Sequence, residues 1–232
     1  MYKFAVFDLD GTLIDSMGCW RNVIPIYAEL KGIKCSGLSD EELRKTDTMS
    51  CNDAVEYMRS VSDDPALKNF TYSDMLYVMD ECYRHRTPVR AGVPDMLKGL
   101  KEKGVRMCVI SATPTRLVKT ALSTAELIDY FEFILTPDDY PAGKNTPDIF
   151  MAAAKKFGCE TGDMAIFEDT YYSMKTAKGL GMHVIAVEDR FEAYERDKIK
   201  DIADEYYKEF TEFRYKIKTT GSTGGLIHPY KG

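Results

Sequence analysis

Phe4 to Ser16, FAVFDLDGTLIDS, is the stretch whose reading decides the fold. Phe4, Ala5, Val6 and Phe7 form a nearly uninterrupted apolar run, which suits a strand buried on both faces of a parallel sheet. Asp8, Asp10 and Gly11 follow at once. Side chains alternate along a strand, so Asp8 and Asp10 project to the same side where the strand stops. Two carboxylates so placed repel each other unless a cation sits with them. The carboxyl end of a strand is also where open α/β sheets bind their ligands. An Asp-Gly pair suits an ordinary turn as well, but a turn needs one Asp and has no need of four buried residues before it.

Downstream of this stretch the pattern is helical as far as about Arg86. Asp15 and Ser16 offer an N-cap for a helix through Trp20, Val23, Ile24, Tyr27 and Leu30, closed by Gly32. Ser39-Asp-Glu-Glu42 reads as a capping box, and Asn52 to Val61 and Tyr72 to Tyr83 carry further amphipathic patterns. Residues 16–87 therefore read as an all-helical insert after the first strand. Beyond Pro88, helices and strands alternate. Val93 to Lys103 is a helix, VRMCVI (Val105 to Ile110) a strand, and Leu117 to Leu122 a helix. Tyr130 to Leu135 is a strand, Thr146 to Phe157 a helix, and Met164 to Phe167 a strand ending at Glu168 and Asp169. A helix over 172–180 and a strand from His183 to Val187 follow. Phe191 to Ile202 reads as helix and ADEYYKEF as a short edge strand. This alternation predicts an α/β fold, a doubly wound parallel sheet, with a core of residues 1–15 and 88–210, the helical insert, and a tail over 211–232.

Asp8, Asp10, Ser111, Glu168 and Asp169 each follow a short apolar run, so the fold brings them to one crevice. Four carboxylates and a hydroxyl suit a hard divalent cation, and Mg²⁺ takes a few carboxylates while keeping waters and a substrate phosphate. Lys144, in AGKNTPD, adds a positive charge that damps the repulsion and meets an incoming anion. Taken alone it could equally be a solvated loop lysine; Gly143 and the helix start near Thr146 set it apart.

Four stretches together, FDLDGTLIDS, VISAT ending on Ser111-Ala-Thr, GKNTPDIF around Lys144, and IFEDTYYSMKTAKGLGM around Glu168 and Asp169, resemble the haloacid dehalogenase superfamily. The resemblance is to the branch with a helical cap after the first strand, and it covers residues 1 to about 210. It implies a Rossmann-like core and a phosphatase that acts through an aspartyl-phosphate. In that reading Asp8 is the nucleophile, and Asp10 is the acid and base. Ser111 and Lys144 hold the phosphoryl oxygens, with the backbone N–H groups of Leu9 and Ala112 as extra donors. Mg²⁺ is held by Asp8, the Asp10 main-chain carbonyl and Asp169, with Glu168 close by or ligating. Asn145 stands where relatives commonly have Pro, and Ser173 where they often have Gly. Tyr171 and Tyr172 read as packing beneath the loop.

The insert sets the expected substrate, a small phosphate monoester such as a sugar phosphate. Trp20, Arg21, Lys45 and Arg84 are the candidate substrate-facing residues, and Ser16 and Thr87-Pro88 the candidate hinges. A β-phosphoglucomutase is expected to carry a His where this chain has Trp20, and none of His85, His183 or His228 can take that place. The phosphosugar mutase is thus the weaker alternative, and a partner-binding protein without catalysis is a second. Asp10 speaks against haloalkanoate dehalogenation, and the lack of a distinctive cap lysine against phosphonate cleavage.

At 232 residues, 44% of them apolar, the chain can bury a full core. A net charge of −6 gives no basic footprint for nucleic acid. No apolar run approaches the roughly 18 residues of a membrane span. A cytoplasmic enzyme, monomeric or weakly dimeric, is expected. The six scattered cysteines have no CxxC pair, so free thiols are expected rather than a zinc site. GSTGG in the tail lacks the lysine of a phosphate loop.

Overall fold

In the computed structural model, which describes residues 2–46 and 49–215, the opening apolar run is β1 (Phe4–Phe7). It is followed by β2 (Arg106–Ile110), β3 (Ile134–Leu135), β4 (Met164–Glu168), β5 (His183–Val187) and β6 (Glu205–Tyr207). These form one six-stranded sheet in the order β3-β2-β1-β4-β5-β6, and every pairing is parallel. Strand β1 lies in the middle, in register with both neighbours: Phe7 sits beside Val109 on one side and Phe167 on the other. The strand order reverses at β1, which puts a ligand crevice at its carboxyl end.

Alternation along the strands sorts the core into two layers. Ala5, Phe7, Met107, Val109 and Phe167 face one way, with α7 (Val93–Glu102) and α8 (Thr115–Thr124) packed on that side. Val6, Cys108, Ile110, Ile166 and Val184 face the other, against α9 (Asp148–Phe157), α10 (Tyr171–Gly179) and α11 (Arg196–Ile202). Phe7 and Phe167 stack at 4.2 Å between ring centroids. Each such buried side chain is worth about 1.5–3 kcal/mol. All six cysteines are free thiols, and no helix among the described residues is long and apolar enough to cross a membrane.

Among the described residues six helices lie between β1 and Pro88, ahead of α7: α1 (Met17–Arg21), α2 (Val23–Lys31), α3 (Asp40–Arg44), α4 (Cys51–Val61), α5 (Pro65–Lys68) and α6 (Tyr72–His85). The single helix expected over Trp20 to Leu30 is two, broken at Asn22. Pro25 accounts for the break, because it has no N–H for the Arg21 carbonyl and its ring crowds that group. Ser16 holds the N-cap position of α1 but makes no capping bond; its hydroxyl is used elsewhere. The chain enters and leaves the insert at one place. Asp15 N–H donates to the Pro88 carbonyl at 2.9 Å, Arg90 N–H to that of Leu13 at 3.0 Å, and Ile14 bridges Val89 antiparallel. Helix α6 then lies against α8, with the Thr120 hydroxyl donating to the buried Asp80 at 3.0 Å.

Two other expectations are revised. The strand expected over Tyr130 to Leu135 is regular only at Ile134–Leu135, because Ile128–Tyr130 is a 3₁₀ turn that brings Phe131 against Phe7. Pairing nonetheless starts earlier, with Glu132 N–H donating to the Met107 carbonyl at 2.8 Å. Over Phe191 to Ile202 a 3₁₀ stretch, Arg190–Glu195, precedes α11. The first residues of the expected tail pack on the sheet: Phe213 is buried against Phe167, and the Tyr215 hydroxyl donates to the Tyr2 carbonyl at 2.7 Å. GSTGG and His228 lie outside the described residues.

Candidate active site

The carboxyl ends of β1 and β4 bring Asp8, Glu168 and Asp169 together, each buried, with carboxylate oxygens within 4.8 Å of one another. Lys144, on a 3₁₀ turn over Gly143–Asn145, reaches into them from the loop before α9. Its Nζ lies 2.7 Å from both Asp8 Oδ1 and Glu168 Oε2 and is 3% exposed. Three carboxyl groups share one ammonium, so full ionisation would leave two buried negative charges uncompensated.

The titration behaviour follows. Burial pushes Asp8 up to about 8, with Lys144 opposing and Glu168 and Asp10 adding to the rise. Burial, then the Glu168 and Asp8 charges, hold Asp169 well above the usual carboxylate range. Glu168 stays below its ordinary value because the Lys144 charge and hydrogen bonds outweigh its burial. Burial works against the Lys144 charge, but Asp8 and Glu168 hold its proton well above the ordinary lysine range.

The donor set fits a divalent cation. Glu168 is committed on both oxygens: Oε2 to Lys144, and Oε1 to Asp169 N–H, Thr170 N–H and the Thr170 hydroxyl at 3.1, 3.1 and 2.9 Å. Asp169 is not. Its Oδ1 accepts from Thr12 Oγ1 at 2.8 Å, while its buried Oδ2 has no partner among the described residues. Such an orphaned oxygen beside Asp8 is what a cation ligand looks like before the cation is counted. Gly11 makes room for it: at φ +83° a Cβ there would stand 2.3 Å from Asp169 Oδ2. The Arg90 guanidinium holds this turn by donating to the Gly11 carbonyl, and to that of Glu188 at 2.6 Å.

Asp10 sits apart from the charged cluster among neutral donors. Its Oδ1 accepts from Ser16 Oγ at 2.6 Å, Tyr83 Oη at 2.6 Å and Trp20 Nε1 at 3.1 Å, and its Oδ2 from Thr113 Oγ1 at 2.8 Å. Ser111 is buried at the end of β2, and its hydroxyl accepts from Thr113 N–H at 3.0 Å. A cavity of about 300 Å³ opens over Asp8, Asp10, Ser111, Ala112 and Lys144. The insert walls it with Trp20, Arg21, Met49, Cys51, Met58 and Met75.

Of the four substrate-facing candidates, the structure puts Trp20 and Arg21 on this wall. Lys45 pairs with Glu41 at 3.7 Å and Arg84 with Asp80 at 2.7 Å, and neither lines the cavity. Tyr171 and Tyr172 do line it, and the Lys144 ammonium lies 5.9 Å from the Tyr172 ring centre. Asn145 is exposed on the Lys144 turn, and Ser173 is buried in the first turn of α10, with no strained backbone at either place. Sequence reasoning passed over Thr12, Thr113 and Tyr83. Thr12 and Thr113 lie inside the motifs quoted for their neighbours. Tyr83 continues the buried face Met75, Val78, Met79, Cys82 of α6, so its spacing reads as packing.

A buried nucleophile-like carboxylate held by a lysine, next to a carboxylate with an open oxygen and a separate neutral-caged acid, is the outline of a phosphate-ester hydrolase. The chain belongs to the haloacid dehalogenase-like hydrolase family, whose profile matches residues 5–187. It is 29% identical over 194 residues to phosphoglycolate phosphatase 1 of Pseudomonas aeruginosa, covering 80% of this chain and 69% of that protein. It is 26% identical to hexitol phosphatase B of Escherichia coli, covering 79% and 82%. Its fold matches that of CbbY from Rhodobacter sphaeroides, solved in complex with phosphate, at a TM-score of 0.75, with 22% identity over 91% and 96% of the two chains. The protein is thus an enzyme that hydrolyses phosphate esters, which sets aside the reading as a partner-binding protein without catalysis.

Proposed function

We propose that the protein is a Mg²⁺-dependent phosphatase of a small phosphate monoester, a sugar phosphate or similar metabolite, working through a phosphorylated Asp8. One observation carries this reading: Lys144 grips Asp8 and Glu168 at 2.7 Å while the neighbouring Asp169 Oδ2 stays unpartnered. Such a site holds a carboxylate as nucleophile and keeps an oxygen ready for a cation. An Asp8 oxygen attacks phosphorus, and the bond from phosphorus to the leaving oxygen breaks as Asp10 delivers its proton there. Asp10 then takes a proton from the water that attacks the phosphoryl-Asp8, releasing phosphate and restoring both carboxyl groups. Lys144, Ser111 and the Leu9 and Ala112 N–H groups hold the phosphoryl oxygens. Mg²⁺ among Asp8, Asp10, Glu168 and Asp169 would supply neutralisation of phosphoryl charge. Residues 16–87 act in this reading as the cap, with Trp20 and Arg21 toward the leaving group.

Trp20 also bears on the mutase alternative. An indole N–H donates and never accepts, so it orients Asp10 without exchanging a proton with it, which supports hydrolysis over transfer between sugar hydroxyls. The test is release of phosphate from p-nitrophenyl phosphate and a panel of metabolite phosphates with Mg²⁺, beside Asp8→Asn, with acid-quenched protein checked for bound phosphate. Wild type should turn over and carry acid-stable, hydroxylamine-labile phosphate, and Asp8→Asn should do neither. Turnover without any phosphorylated protein in rapid-quench samples would sink the covalent route. Interconversion of β-glucose 1-phosphate and 6-phosphate would restore the mutase.

A further inference from the structure

The environment of Asp10 carries one inference that rests on the phosphatase reading. Among the described residues, Asp10 Oδ1 takes three donors, the Ser16, Tyr83 and Trp20 groups, whereas Oδ2 takes Thr113 alone. A carboxylate oxygen has two lone pairs, so Oδ1 is fully occupied. It can neither bind a proton nor turn toward substrate without breaking one of those bonds. Oδ2 keeps capacity for the proton. The pair of oxygens is therefore differentiated by the donors on one of them.

We propose that Tyr83 and Trp20 are positioning residues for the acid/base Asp10: by saturating Oδ1 they present Oδ2 as the atom that gives the leaving oxygen its proton. Two further observations support it. Tyr83 is 1% exposed, at the last turn of α6, and has no role in the cavity wall beyond this bond. Trp20 and Tyr83 come from the opposite ends of the insert, α1 and α6, and meet over Asp10 because the chain enters and leaves the insert side by side, at Asp15 and Pro88. The acid/base is thus assembled from the core, which brings Asp10 and Thr113, and from the insert, which brings Ser16, Trp20 and Tyr83.

A group that positions a general acid matters in proportion to how badly the leaving group needs a proton. The test is kcat/KM of wild type, Tyr83→Phe and Trp20→Phe across a series of esters from an alkyl phosphate to dinitrophenyl phosphate, a leaving group that departs unprotonated. kcat/KM reports the steps up to leaving-group departure and is blind to later hydrolysis of phosphoryl-Asp8. Tyr83→Phe should lower the alkyl value by roughly 10- to 100-fold and the dinitrophenyl value by under about threefold. Trp20→Phe should steepen the series in the same sense. Equal loss on all esters, or no loss on the alkyl ester, overturns the proposal, since a merely structural tyrosine has no reason to know the leaving group. Should Tyr83→Phe melt below the assay temperature, the slope of Trp20→Phe decides alone. A wild type that hydrolyses none of the series instead defeats the phosphatase reading itself.

Discussion

The two aspartates of the opening motif live in opposite surroundings. Asp8 is buried among charges, held by one lysine and two carboxylates that all come from the sheet ends and their loops. Asp10, two residues on, is part-exposed and surrounded by hydroxyls and an indole, three of them, from Ser16, Trp20 and Tyr83, in the insert. Charges hold a group by long-range attraction and repulsion, whereas neutral donors hold it by the direction of their hydrogen bonds. In the proposed mechanism the first surrounding belongs to the nucleophile and the second, which aims a single oxygen, to the acid and base.

The comparison can be broken most directly at Asp8. Asp8→Asn should cut phosphate release by more than about 10³-fold, because the step that forms the covalent intermediate is lost; residual turnover within tenfold of wild type would show Asp8 is not the nucleophile. Lys144→Ala comes next. Lys144 is buried, so its loss should act on the fold as well as on catalysis. Removing the ammonium strands Asp8 and Glu168, so stability should fall by about 3–5 kcal/mol in urea titrations as well as activity. Unchanged stability would mean solvent already reaches the pair. Gly11→Ala should cost about 2 kcal/mol from the left-handed backbone alone and, by crowding Asp169 Oδ2, should weaken Mg²⁺ activation measured by titration. Wild-type Mg²⁺ affinity in that variant would argue against Asp169 as a ligand.

The smallest effect is the pH dependence of the cation-free protein. Asp8 is raised from 3.8 to about 8, and Asp169 also upward. A raised carboxyl contributes stability below its unfolded value and loses it as pH climbs through the folded one. Glu168, held low, acts in the opposite sense only around and below 4.5. The melting temperature without cation should therefore drop by a few degrees, roughly, between pH 5 and pH 8. The rise on adding Mg²⁺ should be larger at the higher pH, by calorimetry. A Mg²⁺ shift that is equal at both would remove the link between these carboxylates and the cation.

The charged half of the site was legible in the sequence and the neutral half was not. Asp8, Lys144, Glu168 and Asp169 announce themselves because ionisable residues beside buried strands need a reason to be there. The parallel sheet was legible on the same ground, in four-to-six-residue apolar runs at helix-length spacing. Tyr83 gave no signal, for its spacing on α6 matches a packing residue and only the third dimension turns its hydroxyl to Asp10. Ser16 misled in a related way: its type and place indicate a cap, yet its hydroxyl found a carboxylate instead of the helix end. The break at Pro25 was visible in principle and was outweighed by the apolar period around it. The 3₁₀ turn at Ile128–Tyr130 had no such mark, since it depends on Phe131 finding Phe7.

The side-by-side passage of the chain at residues 13–15 and 88–90 has a consequence for heredity. A segment joined to its host at one point can be exchanged as a cassette, so new leaving groups could be acquired by replacing residues 16–87 while the sheet and its acids are inherited unchanged. Such exchange is not free of conditions. Because α1 and α6 both reach Asp10, the two ends of the segment would have to change together.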